Sequence, residues 1–163
     1  MFGLFKKKTK AVPPPIPDTD PELRKEFIAE LESAAHKDVN RIEVALVMLH
    51  AGTAKIPDLF SALADTPLYC LIKSKEELNK PLILVHPKGY GSLATFSAPE
   101  RAEKTIAQFP EHKELLQIGF SDILEILRDD TGVVINPQYR VAYFNMDPQQ
   151  IAQLKEIFQK KEA

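Results

Sequence analysis

The sequence predicts an α+β fold: a mixed, largely antiparallel sheet of about five strands with helices packed on it. Three observations lead there. Helix-start signals recur along the chain, at Asp20-Pro21-Glu22, Asn40-Arg41-Ile42-Glu43, Ser97-Ala98-Pro99-Glu100 and Asp147-Pro148. Between them lie short apolar runs bounded by turn residues, the pattern of strands. Finally, 163 residues of which 44% are hydrophobic suffice for one packed core.

The first seventeen residues stand apart. Pro13-Pro14-Pro15-Ile16-Pro17 lacks backbone donors at its prolines and favours an extended rod, so 1–17 is expected to be a basic, proline-rich tail and 18–163 a single domain. Asp20-Pro21-Glu22 supplies a cap, a proline at the first helical position and an acid in the first turn, ahead of Leu23, Phe27, Leu31 and Ala34 at helical spacing. Asn40 opens a second helix with Ile42, Ala45, Leu46 and Leu49 on one face. Val44, Val47 and Met48 make this helix apolar nearly all round, so it should be buried, although its β-branched residues leave a strand reading open. Pro57 starts a short helix that points Leu59, Phe60 and Leu63 inward and ends at Asp65-Thr66-Pro67.

Strands are expected at Leu68–Ile72, Leu82–His86 and Leu93–Phe96, the last two joined through Pro87-Lys88-Gly89-Tyr90-Gly91 as a hairpin. Ser97 then reads as the cap of a helix that Pro110 stops, and Leu115–Ile118 as another strand. Ser121 is expected to cap a helix carrying Ile123, Leu124 and Leu127, with Gly132 as its C-terminal stop. Val133–Ile135 and Val141–Phe144 read as a strand pair across Asn136-Pro137-Gln138-Tyr139, and Asp147-Pro148 opens a last helix with Ile151, Leu154 and Phe158 inward.

Charge is distributed unevenly. The whole chain is formally at −2, but Lys6, Lys7, Lys8 and Lys10 put +4 on the first ten residues, which leaves residues 11–154 at −7 once the +1 of the final turn is set aside. An acidic body argues against nucleic-acid binding, which needs clustered basic surface, and suits a basic protein partner. No apolar run approaches the ~18–20 residues that span a bilayer. Phe2, Leu4 and Phe5 precede the lysines instead of following them, unlike a signal peptide. One cysteine excludes an internal disulfide framework and fits a reducing, cytoplasmic setting.

Few residues are arranged for chemistry. Cys70 sits mid-strand between Tyr69 and Leu71, where a small apolar packing role is expected rather than a nucleophile's. His36, His50, His86 and His112 lie far apart without ligand spacing, so no metal and no cofactor are expected. Lys88-Gly89-Tyr90-Gly91 lacks the phosphate-loop pattern, and Gly91-Ser92 lacks the nucleophile elbow. The candidates that remain are for contact with a partner. Asp122, Glu125 and Asp129 fall at i, i+3 and i+7 on one proposed helix, with Asp130 next to them and Arg128 the one base among them, a stripe that reads either as a solvated helix face or as a docking face for a basic partner. Tyr90, Tyr139 and Tyr143 lie at turns or strand ends, where an aromatic ring can anchor an interface.

Three blocks of the chain resemble the SseB N-terminal domain family. Phe60-x-x-Leu63 leading into Thr66-Pro67-Leu68-Tyr69 is similar to that family's helix and following strand. Leu93 to Ala102 resembles its strand-to-helix junction, and Phe120 to Leu124 through Gly132-Val133-Val134-Ile135-Asn136-Pro137 resembles its helix and closing turn. Together they span roughly residues 40–160. Two places depart from the pattern: Cys70-Leu71-Ile72 replaces a proline-bearing stretch, and Ser97-Ala98 stands for a Thr-Ser pair. The resemblance implies a small bacterial protein known by its fold more than by any reaction, sometimes found beside toxins. It therefore carries the expectation of a non-enzymatic, cytoplasmic protein-binding module, with an immunity protein that neutralises a basic toxin domain as the specific case. A small-molecule or nucleotide sensor, with a pocket between the sheet and the loops around Gly89–Gly91 and Asn136–Tyr139, is the alternative.

Overall fold

The computed structural model describes residues 22, 25–26, 28–29, 40–78 and 80–162. The expected tail over 1–17 lies outside them. Of the helix expected after Asp20, Glu22, Lys25, Glu26, Ile28 and Ala29 are helical, and the remainder also lies outside. The chain divides into two compact units: one reaches to Thr66 and includes Tyr139–Tyr143, and the other holds Pro67–Gln138 and the chain from Phe144 onward.

The smaller unit is built on two helices, α1 (Arg41–His50) and α2 (Ile56–Asp65). Asn40 caps α1 as its sequence position predicts, its Oδ1 accepting from the Glu43 amide at 3.0 Å. Ile42, Leu46 and Leu49 are buried, while Val44 and Met48 are half-buried. At the start of α2, Pro57 sits where no intrahelical donor is needed, and Asp58 accepts from the Lys55 amide at 2.7 Å. Leu59, Phe60 and Leu63 point inward as expected. Arg41 reaches across to Asp65 and ties the start of one helix to the end of the other. The Tyr139–Tyr143 loop is held by Glu26, whose carboxylate accepts from the Arg140 amide at 3.0 Å and from Arg140 Nε at 3.2 Å.

The larger unit carries the sheet. Its strands are β1 (Leu68–Ile72), β2 (Ile83–Val85), β3 (Gly91–Phe96), β4 (Glu114–Ile118), β5 (Thr131–Ile135) and β6 (Phe144–Met146). Among the described residues there are six strands, five of which run in the order β4-β1-β3-β5-β6. β2 lies beside the first half of β3, on the edge that β1 takes further along. Leu82 joins the two, donating its amide to Leu71 at 2.8 Å and accepting from Ala94 at 3.1 Å. β3 and β5 are parallel, and every other pair is antiparallel. The fold is therefore α+β with a mixed, mostly antiparallel sheet.

One face of the sheet gathers Leu71, Leu82, Ala94 and Phe96 under Ala102, with Tyr69, Leu84 and Ile106 at the margin. Ala102 and Ile106 come from a 3-10 turn (Pro99–Ala102) and the short helix α3 (Glu103–Gln108) that continues it. α4 (Phe120–Ile126) and α5 (Pro148–Glu162) follow β4 and β6, and meet where Phe120 and Phe158 pack edge to face at 5.6 Å. Ile151 and Leu154 are buried, and Asp147 and Gln150 cap each other's amides at 2.8 and 2.9 Å.

Three expectations need correction. Ser97 does not cap a helix: Ala98 holds the cap position, and Ser97 is bonded instead to Asn136, 39 residues away. Asn136 stands at φ 55°, a left-handed conformation asparagine tolerates. From there its Oδ1 accepts from the Ser97 amide and its Nδ2 donates to Ser97 Oγ, both at 2.9 Å. Second, Ser121 does not cap α4, since Gly119 holds the cap position and Ser121 lies inside the helix, and α4 ends at Ile126, because Leu127 turns to extended backbone at ψ 137°. Gly132 lies inside β5 and does not stop a helix. A Cβ on Gly132 would come within 2.3 Å of the Met146 carbonyl oxygen, so glycine is required there by the close approach of β6. Third, Val141 and Ala142 precede β6 instead of forming it. Val141 sends its amide toward the Glu26 carboxylate, so the apolarity of this stretch reflects burial in a loop.

Candidate functional site

The acidic residues fall on the larger unit. Asp122 and Glu125 are exposed on α4, whose Phe120, Ile123 and Leu124 turn inward. Asp129 and Asp130 do not continue that helix face: they lie in the turn between Leu127 and β5, which the Thr131 amide closes onto Arg128 at 3.1 Å. Their charges are also partly answered. Asp129 lies 3.7 Å from Lys155 Nζ, and Asp130 3.7 Å from Arg128 Nε. Lys155 does a second job, donating at 2.7 Å to the Leu127 carbonyl that the end of α4 leaves open. Asp122 and Glu125 have no cationic partner among the described residues.

Beside them stands a residue that sequence reasoning passed over. Ile126 is 59% exposed and lies four positions after Asp122, hence on the same side of the helix. The available signal was that an isoleucine one residue off the Phe120-Ile123-Leu124 stripe has nowhere to pack. The face thus combines two carboxylates without a cationic partner among the described residues with one apolar side chain, a composition suited to a basic and partly apolar counterpart.

Tyr90 sits at the same end of the sheet as the Asp129-Asp130 turn, because the parallel register sets Gly91 beside Thr131. Its ring is committed internally. It stacks on His86 with centroids 4.5 Å apart, lies over Gly132, and its hydroxyl accepts from Asn145 Nδ2 at 2.9 Å. Tyr139 and Tyr143 belong to the smaller unit, where the Tyr143 carbonyl is 3.2 Å from His50 Nε2. The structure therefore brings Tyr90 and Asp130 to one end of one unit and assigns Tyr139 to the other unit.

The same parallel pairing separates the two loops named for a small-molecule pocket. Gly89–Gly91 precedes β3 and Asn136–Gln138 follows β5, so the two loops stand at opposite ends of parallel strands, about five residues or roughly 17 Å apart. A concavity does exist in the smaller unit, an open cleft of about 300 Å³ lined by Arg41, Val44, Met48, Asp58 and Ser61 among others. Cys70 is 3% exposed, and burial raises its thiol from an ordinary 9.0 to about 11. That leaves it protonated and unreactive at neutral pH. Among the described residues no three His, Cys, Asp or Glu side chains converge as metal ligands, and no helix is long and apolar enough to cross a membrane.

No family model matches the chain, and no solved structure matches it. A search of curated proteins finds similarity to a myricetin 3-O-rhamnoside 1,2-glucosyltransferase of Crocosmia x crocosmiiflora, 29% identical over 115 residues. That stretch is 70% of this chain and 24% of the plant enzyme. The chain thus spans about a quarter of the relative's length, and a match of this extent carries neither a fold nor a reaction across.

Proposed function

We propose that the chain is a member of the SseB N-terminal domain family acting as a non-enzymatic, cytoplasmic protein-binding module. Its specific role is that of an immunity protein whose α4 face docks a basic toxin domain. The observation that carries this reading is the exposed Asp122–Glu125 pair, unanswered by any cation among the described residues, with Ile126 presented beside it. Two of the three blocks that resemble the family, the strand-to-helix junction and the closing turn, are joined by the Asn136–Ser97 bonds. The bonds give those residues a structural role.

The test is charge reversal. Asp122→Lys with Glu125→Lys removes the free part of the face and leaves the Lys155–Asp129 contact intact. Against the purified partner, association should slow by about tenfold at low salt, with a smaller change in dissociation. Equal association rates for wild type and the folded double variant would exclude this face.

The cleft of about 300 Å³ in the smaller unit favours a second reading, a small-molecule or nucleotide sensor. A thermal-shift panel of nucleotides and amino acids tests it, since a ligand at about 100 times its Kd stabilises by roughly 2.7 kcal/mol. A flat panel removes that reading.

A further inference from the structure

Among the described residues, three strands of the sheet have a neighbour on one side only. β2 pairs with β3, β6 with β5, and β4 with β1. Edge strands invite another chain unless they are short, bulged, interrupted by proline or charged toward the sheet. β2 and β6 are three residues each, which is protection by brevity. β4 has none of these devices in its middle. It is five residues long, free of proline, and paired with β1 without a break from Leu68–Ile118 to Ile72–Glu114. No backbone bond outside that ladder involves Glu114–Ile118 among the described residues.

The side chains agree. Leu115 and Gln117 lie opposite Leu71 and Tyr69, on the face that α3 covers, and α3 does not screen them. Leu115 is 38% exposed, and Phe109, just beyond the end of α3, is 37% exposed. Leu115 thus brings exposed apolar surface to the edge of this face.

We propose that β4 is a dimer edge: a second copy of the chain adds its own β4, antiparallel, across a two-fold axis normal to the sheet. Self-complementarity selects the copy as occupant and fixes the register. Such an axis keeps like faces together, so residues facing one another share parity. Centring on Glu114 would oppose two carboxylates. Centring on Leu116 would set exposed Leu115 against Gln117. Centring on Leu115 places the two leucines directly opposite, sets Lys113 against Gln117 twice, and opposes no like charges. The β4 register uses no residue of the α4 face.

The test uses the full chain with Leu115→Cys. Directly opposed residues of an antiparallel pair have Cα atoms about 4.5–5.5 Å apart, within disulfide range, and the native Cys70 is too buried to compete. Mild oxidation should convert most of Leu115→Cys to a covalent dimer. Gln117→Cys alone should cross-link poorly, but efficiently when mixed with Lys113→Cys. Wild type should sediment as a dimer and Leu115→Lys as a monomer with unchanged circular dichroism. A wild-type monomer at about 100 µM, or Gln117→Cys cross-linking to itself as fast as Leu115→Cys, overturns the proposal. In the first case a foreign strand, or no strand at all, takes that edge; in the second the copies meet without the Leu115 register.

Discussion

Asn136 shows how one side chain holds two distant pieces of chain. It spends left-handed backbone to present both amide atoms to Ser97, while Thr95 Oγ1 bonds the Val134 carbonyl at 2.9 Å and Thr95 O accepts the Asn136 amide at 2.8 Å. The ends of the parallel strands are thereby locked together. Replacement by alanine loses both side-chain bonds and keeps the strained backbone, so Asn136→Ala should cost about 3 kcal/mol in urea unfolding. Asn136→Gly relieves the backbone and should cost less. Gly132→Ala forces a methyl group onto the Met146 carbonyl and should cost at least about 2 kcal/mol, or prevent folding. Cys70 gives a pH-dependent test. Its thiol keeps its proton up to about pH 11 in the folded chain and loses it near 9 when unfolded. The stability it contributes is complete below pH 9 and declines as pH rises toward 11. Wild type should therefore lose its advantage over Cys70→Ala across that window, and a constant difference would contradict the burial argument.

At the scale of elements, capping chemistry made most of the fold legible. Asn40, Pro57 and Asp147 place α1, α2 and α5 through contacts within a turn of sequence, and the structure keeps each. The same logic failed where a distant residue outbid the local one. Ser97 has the side chain of a cap, but Asn136 holds it. The helix stripe from Ile123 invites continuation through Leu127 and Asp129, but α4 breaks after Ile126 and Lys155 covers the exposed Leu127 carbonyl. Of the acidic candidates, the two on α4 stand as the sequence spacing implies; of the two beyond it, Asp130 meets the neighbouring Arg128, and Asp129 is reached by Lys155, which spacing does not reveal. Lys155→Met should loosen this end, costing about 1 kcal/mol and speeding amide exchange at Leu127–Thr131 more than at α5.

For the whole molecule, the parallel pairing of β3 with β5 decides which surfaces come together. It sets Tyr90 beside the Asp129-Asp130 turn and drives the Gly89–Gly91 and Asn136–Gln138 loops apart. No local signal in the sequence distinguishes this from an antiparallel neighbour, because the pairing partners are separated by α3, β4 and α4. The acidic body, at −7 over residues 11–154, adds a long-range field that should draw a cationic partner and weaken as salt shortens its reach to about 8 Å at physiological ionic strength. The most direct measurement is a side-by-side capture from native lysate, with the full chain and its Asp122→Lys/Glu125→Lys variant as baits, both checked for folding by circular dichroism. The account predicts a basic protein held in stoichiometric amount by wild type and released by the variant. The same proteins on both baits, or none on either, would contradict it.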